Sequence, residues 1–159
     1  MKAIIRPMNL LDLTDCAKIA KAGTLAEVYG FTERSWVANL ADALNNRENI
    51  LFVAEWEGEV AGFAWVHPRG AFLSSPYLRF ITVSQLFRGK GIGQQLLGEF
   101  ERQTAHIKRD FVLLVSDFNF EAQSLYTKCG YRKVGELVDF AVKGVTEYIM
   151  VKKWSIEGA

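Results

Sequence analysis

Arg88, Gly91 and Gly93, spaced Arg-x-x-Gly-x-Gly with Gly89 and Lys90 interleaved, form the pattern in this chain that most directly implies chemistry. Glycines at a turn that opens a helix leave successive backbone N–H groups unblocked by Cβ atoms. With the helix dipole behind them, such donors make a site for an anion, most naturally a phosphate. Arg88 and Lys90 add positive charge on the same loop. A plain strand-to-helix turn also uses glycine for φ > 0, but three alternating glycines with Arg88 before them and Lys90 between them exceed that need. Other phosphate loops do not fit. A Walker A loop needs Ser or Thr after its Lys, and Gly91 follows Lys90. A dinucleotide fingerprint needs a glycine where Leu96 stands.

The flanking runs must position this loop. Leu78–Val83 is β-branched and strand-like, and Ile92, Leu96, Leu97 and Phe100 then recur at helical spacing. In chain order, Ala3–Arg6 is a short strand ended by Pro7. Leu10, Leu13, Cys16, Ile19 and Ala20 make an apolar helical stripe closed near Gly23. Thr32 is placed to N-cap a second helix bearing Trp36, Val37, Leu40 and Leu44. Ile50–Trp56 and Val60–His67 read as strands joined at Glu57-Gly58-Glu59, and Pro68–Pro76 reads as a loop rich in glycine, serine and proline. Phe111–Val115 suits a strand covered on both faces. Glu121–Cys129 carries Ala122, Leu125, Tyr126 and Cys129 on one helical face, with Gly130 at its stop. Tyr131–Val138 and Thr146–Trp154 read as two final strands around Gly144. This order predicts an α/β (α+β) fold over residues 1–159 as a single domain. It comprises one mixed sheet of about six to seven strands with helices on both faces.

Half of the 159 residues are apolar and 23% are charged, a globular composition able to bury a core. A formal net charge of +1 gives no global basic field, so no nucleic-acid partner is expected. No apolar run reaches membrane-spanning length, and the N-terminus lacks the continuous apolar segment of a signal peptide. Cys16 and Cys129 have no metal or redox spacing. They are expected to be reduced, buried residues of a cytoplasmic protein.

The loop after Ile81-Thr82-Val83 resembles the pyrophosphate loop of the GNAT superfamily of acyl-CoA-dependent N-acyltransferases. A second stretch, NFEAQSLYTKCGY, is similar to the family's other signature, with Asn119, Ala122, Leu125-Tyr126 and Gly130-Tyr131 in register. Together the two signatures span about Leu78–Val134. The resemblance implies a GNAT fold whose central strands splay apart beyond a β-bulge. It also implies acetyl-CoA as co-substrate, its pantetheine arm paired with the freed strand edge. By position, Ile81 and Val83 would supply those backbone contacts, Val83 also polarising the thioester carbonyl. Arg88, Gly89, Lys90, Gly91, Ile92 and Gly93 would hold the pyrophosphate, and Asn119 would contact the cofactor. Tyr126 would protonate the departing thiolate, although its spacing alone reads as a core aromatic on the stripe of its helix. No metal is implied.

A general base is not marked. Histone-modifying members of the superfamily use a glutamate on the central strand, where this chain has Pro76-Tyr77-Leu78-Arg79. Glu27, Glu33, Asp117 and a water chain stay as candidates, and His67 and His106 read as structural or solvated. No nucleophilic triad suggests itself, so direct transfer to a primary amine of a small molecule or peptide in a ternary complex is expected. Transfer to a protein amine and a non-catalytic CoA sensor are the alternatives. The apolar C-terminal strands would suit a homodimer.

Overall fold

A computed structural model describes residues 1–156. Its frame is a seven-stranded sheet in the order β1-β2-β3-β4-β5-β7-β6. The strands are β1 Ile4–Pro7, β2 Ile50–Trp56, β3 Glu59–Ala71, β4 Ser75–Val83, β5 Phe111–Ser116, β6 Arg132–Val138 and β7 Thr146–Lys152. Only the β4–β5 pair is parallel. The helices are α1 Leu13–Ala22, α2 Thr24–Tyr29, α3 Glu33–Leu44, α4 Ile92–Thr104 and α5 Phe120–Lys128. The fold class is the one the strand and helix signals predict.

Each face of the sheet buries its own core. On one face, Cys16, Ala17 and Ala20 of α1 and Trp36 and Leu40 of α3 cover Leu51, Val53, Phe63 and Trp65. On the other, Ile92, Leu96, Leu97 and Phe100 of α4, with Tyr126 of α5, cover Phe52, Ala64, Leu78 and Leu113. The alternation of β2 and β3 between the two clusters follows from the two-residue period of a strand. Thr32 caps α3 as expected: its hydroxyl accepts from Ser35 N at 3.0 Å while the Ser35 hydroxyl accepts from Thr32 N at 3.2 Å.

Four expectations need correction. Leu10 lies in a 3₁₀ turn before α1 and is exposed, so it is not on the buried stripe. Thr24–Tyr29 is a helix of its own; six residues burying little more than Ala26 are too few to show a period, and Gly30 in the left-handed region ends it. Pro68–Pro76 is largely strand: β3 runs to Ala71 and β4 begins at Ser75. The turn composition comes from a register shift between His67 and Ala71, where a Cβ on Gly70 would meet His67 Cβ at 2.5 Å. The connecting turn centres on Phe72 and Leu73, both at φ 58. Cys129 is half-buried, whereas Cys16 is buried, and both thiols are free.

The N-terminal strand is locked to the helical layer by one charged cluster. The Arg6 guanidinium donates to both carboxylate oxygens of Asp12, at 2.8 and 2.9 Å, and to Glu55 at 2.9 Å; Asn9 N adds a further bond to Asp12. The Arg6 hydrogen bonds hold the buried Asp12 carboxyl below the usual carboxylate range. A group with a depressed folded value stabilises fully above its unfolded value, about 3.9. That contribution is lost as pH falls through the folded value. Asp12→Asn is therefore expected to cost about 3 kcal/mol at neutral pH, the lower range for breaking a buried pair. The gap to wild type should narrow in acid. Urea denaturation across pH checks this, and a gap of constant size would show that the pair's charge is not what stabilises.

Candidate active site

The β4–β5 ladder holds for two pairs, Tyr77 with Val112 and Leu78 with Leu113, and then stops although both strands continue. Its opening coincides with a bulge on β4. On β3, Trp65 faces Phe80 and the next residue, Val66, faces Leu78, which leaves Arg79 as the extra residue. Arg79 and Phe80 consequently lie on the same face, Arg79 Cζ 4.6 Å from the Trp65 ring and Phe80 4.5 Å from the Trp36 ring. Past the bulge, Thr82 O points at Gly62, and Ser84 N donates to Ala61 O at 2.7 Å. Alternation along the strand then turns the N–H and C=O of Ile81 and Val83 to the other side, across the splay. Gly62 makes this close approach of β3 possible, since a Cβ there would lie 2.5 Å from Thr82 O.

The open edge leads into the first turn of α4. Gly91 is its N-cap at φ 76, and no side chain caps the helix. The first N–H groups of a helix have no intrahelical partner, so those of the Ile92–Gln94 turn remain available to an anion. Gly89 and Gly91 both sit in the left-handed region with open space where a Cβ would go. Gly93 is different: a Cβ there would meet Leu125 Cδ2 at 3.1 Å, so this glycine lets α4 pack against α5. Arg88 pairs with Glu121 at 2.9 Å across exposed surface, a contact weak enough to yield to a ligand. Lys90 Nζ lies 5.2 Å from the Trp56 ring centroid.

One cleft of about 1060 Å³ passes through the splay and touches both faces of the sheet. Ile81, Val83, Arg88, Gly89, Gly91, Ile92, Gly93, Asn119 and Tyr126 all line it, so residues far apart in sequence meet at one cleft. Lys90 is the exception, turned aside to Trp56. Asn119 caps α5, its Oδ1 accepting from Ala122 N at 3.2 Å. Tyr126 is buried at the cleft wall, and burial, reinforced by nearby Tyr77, pushes its phenol well above the ordinary value. It therefore keeps its proton throughout the physiological range.

None of Glu27, Glu33 and Asp117 lines the cleft, and Asp117 instead accepts from Thr146 N at 3.2 Å. His67 lies beside Trp65 and does not line the cleft, its pKa lowered by burial and by Arg79. Two carboxylates do line it: Glu121, exposed and paired with Arg88, and Glu147, buried at the start of β7. The Tyr29 hydroxyl donates to Glu147 Oε1, and Tyr29 Oη lies 2.6 Å from Ser116 Oγ. Burial, aided by the Glu147 bond, pushes the Tyr29 phenol up to about 12. Sequence reading passes over Glu147 because a glutamate at the start of a strand looks like surface charge. Its pairing with Ser116 across β5–β7 is what draws it inward.

The Asn119 cap is expected to be worth about 1 kcal/mol. Asn119→Ala should lower thermal stability accordingly, whereas Asn119→Asp, which keeps an accepting oxygen, should melt close to wild type. A melting curve for Asn119→Ala indistinguishable from wild type would show that the cap is not stabilising.

Comparison with known proteins gives a consistent answer. A profile of the Acetyltransferase (GNAT) family matches residues 17–131. A 5-NmdU N-acetyltransferase of the Pseudomonas phage PaMx11 is 34% identical over 86 residues, covering 54% of this chain and 59% of the phage protein's length. Among solved structures, a ribosomal-protein-alanine N-acetyltransferase from Brucella melitensis superimposes with a TM-score of 0.78 at 24% identity, over 94% of this chain and 99% of that one. An N-acetyltransferase from Thermoplasma acidophilum, in complex with coenzyme A, gives 0.73 at 18% identity over 97% and 100%. These likenesses extend the shared fold over nearly the whole chain, and the profile match settles the affiliation: the chain belongs to the GNAT acetyltransferase family.

Proposed function

We propose that this chain is an N-acetyltransferase that moves an acetyl group from acetyl-CoA to a primary amine by direct attack in a ternary complex. The observation that carries this reading is one continuous cleft joining an unpaired β4 edge to an uncapped helix N-terminus. An amide-bearing arm fits the first, through β-augmentation, and a pyrophosphate fits the second. Ile81 and Val83 would pair through their backbones with pantetheine amides. Gly89, Gly91, Ile92 and Gly93 would present N–H groups to the pyrophosphate, with Arg88 and Lys90 supplying charge around it. Asn119, its Oδ1 committed to the cap, keeps its amide donors for the ligand.

Acetyl-CoA supplies the acyl carbon and a thiolate leaving group. The outward N–H of Val83 is a donor for negative charge growing on the acyl oxygen. Tyr126, protonated at every working pH, holds at Oη the proton a departing sulfur requires. The activity of the phage relative, an N-acetyltransferase, supports an amine acceptor.

Tyr126→Phe keeps the ring that packs beside Tyr131 and removes the hydroxyl. It is expected to lower kcat by on the order of 10²-fold with acetyl-CoA affinity nearly unchanged. Wild-type kcat in steady-state assays limited by chemistry would remove the acid from this residue. Gly91→Val forces a β-branched residue to φ 76 and should cost on the order of 1–2 kcal/mol of stability. Displacing N–H donors to a charged group should weaken acetyl-CoA binding by about tenfold or more. Calorimetry on the folded variant decides, with unchanged affinity excluding the loop from the site.

A further inference from the structure

Among the described residues two carboxylates are buried, and their surroundings differ. Asp12 has its counter-charge in Arg6. Glu147, 7% exposed, forms no ion pair with a lysine or arginine. Its partners are hydroxyls: Tyr29 donates to Oε1, and Ser116 Oγ lies 3.4 Å from Oε2. The titratable groups around this cluster are Tyr29 of α2, Tyr77 of β4 and Asp117 beside Ser116. Arg79 of β4 is turned onto Trp65 instead. A desolvated carboxylate without a cation is costly, and here it stands in the wall of the cleft.

The same end of the cleft is aromatic. Phe31 stacks on Tyr29 at 5.7 Å, Phe118 lies 6.4 Å from Tyr29, and Phe31 and Phe80 pack on Trp36 at 5.2 and 4.5 Å. All of them line the cleft. Trp36 is 6% exposed, and its Nε1 has no hydrogen-bond partner among the described residues.

We propose that Glu147, held by Tyr29 and Ser116, is the seat and proton acceptor for the acceptor's ammonium group, and that the acceptor carries this group on a flat aromatic body. The inference rests on the acetyltransferase reading above. The incoming ammonium supplies the missing counter-charge, and the aromatic wall offers faces for the ring. One N–H bond of the ammonium breaks and its proton passes to the Glu147 carboxylate, which later returns it to water. The freed lone pair forms the C–N bond to the acyl carbon as the C–S bond breaks. The second proton lost from nitrogen balances the one Tyr126 gives to sulfur. The net products are the amide, the free thiol and one released proton.

The test uses the whole protein, acetyl-CoA and two probes, benzylamine and spermidine, with acetyl-CoA binding followed in parallel by calorimetry. Wild type is expected to prefer benzylamine in kcat/KM. Glu147→Gln should lower that value by on the order of 10²-fold near neutral pH. The deficit should close as pH rises toward about 10, where an alkylammonium deprotonates in water unaided. A deficit independent of pH, or none, overturns the proton-acceptor role, and a preference for spermidine overturns the aromatic carrier. Should Glu147→Gln not fold, Tyr29→Phe carries the same test, with a smaller loss and the same closure at high pH. Acetyl-CoA binding without turnover of either amine overturns this inference alone. Failure of acetyl-CoA to bind overturns the acetyltransferase reading beneath it.

Discussion

The interaction on which the rest depends is one that is not made: hydrogen bonding between β4 and β5 beyond Leu78 and Leu113. A parallel pair in mid-sheet is ordinarily buried and fully laddered, because unpaired backbone groups there are expensive. Here the bulge at Arg79 bends β4 away, and the exposed groups of Ile81 and Val83 face a cleft rather than packed side chains. The sheet survives because both faces are independently anchored, one by α1 and α3, the other by α4 and α5. Its edges are held as well, by the Arg6–Asp12–Glu55 cluster at one side and the β5–β7–β6 ladders at the other.

The same opening explains how residues distant in sequence share one site. β4 delivers its free edge directly into the glycine loop and α4, while β5 delivers Ser116 and then Asn119 at the start of α5. Gly93 brings the two helices together at Leu125. Polar groups in the cleft divide by function as well as by place. Donors without acceptors gather at the α4 end, suited to an anion. Glu147, an acceptor without a cation, stands at the other, suited to an amine.

Sequence alone determined what local chemistry controls. The glycine loop, the Thr32 cap, the Glu57-Gly58 turn and the seven strand segments are each specified by residue types a few positions apart, and short-range sterics and hydrogen bonding suffice to read them. Only the tertiary structure decided the rest. Bulges at Arg79 and at His67–Ala71 depend on which residue of the partner strand is opposed, so a composition of Pro, Gly and Ser could read as loop where strand exists. Glu147 owes its burial to its cross-strand partner Ser116 and to Tyr29, on a helix too short to leave a period in the sequence. Its burial is a property of the three elements that close around it and is encoded in none of them singly.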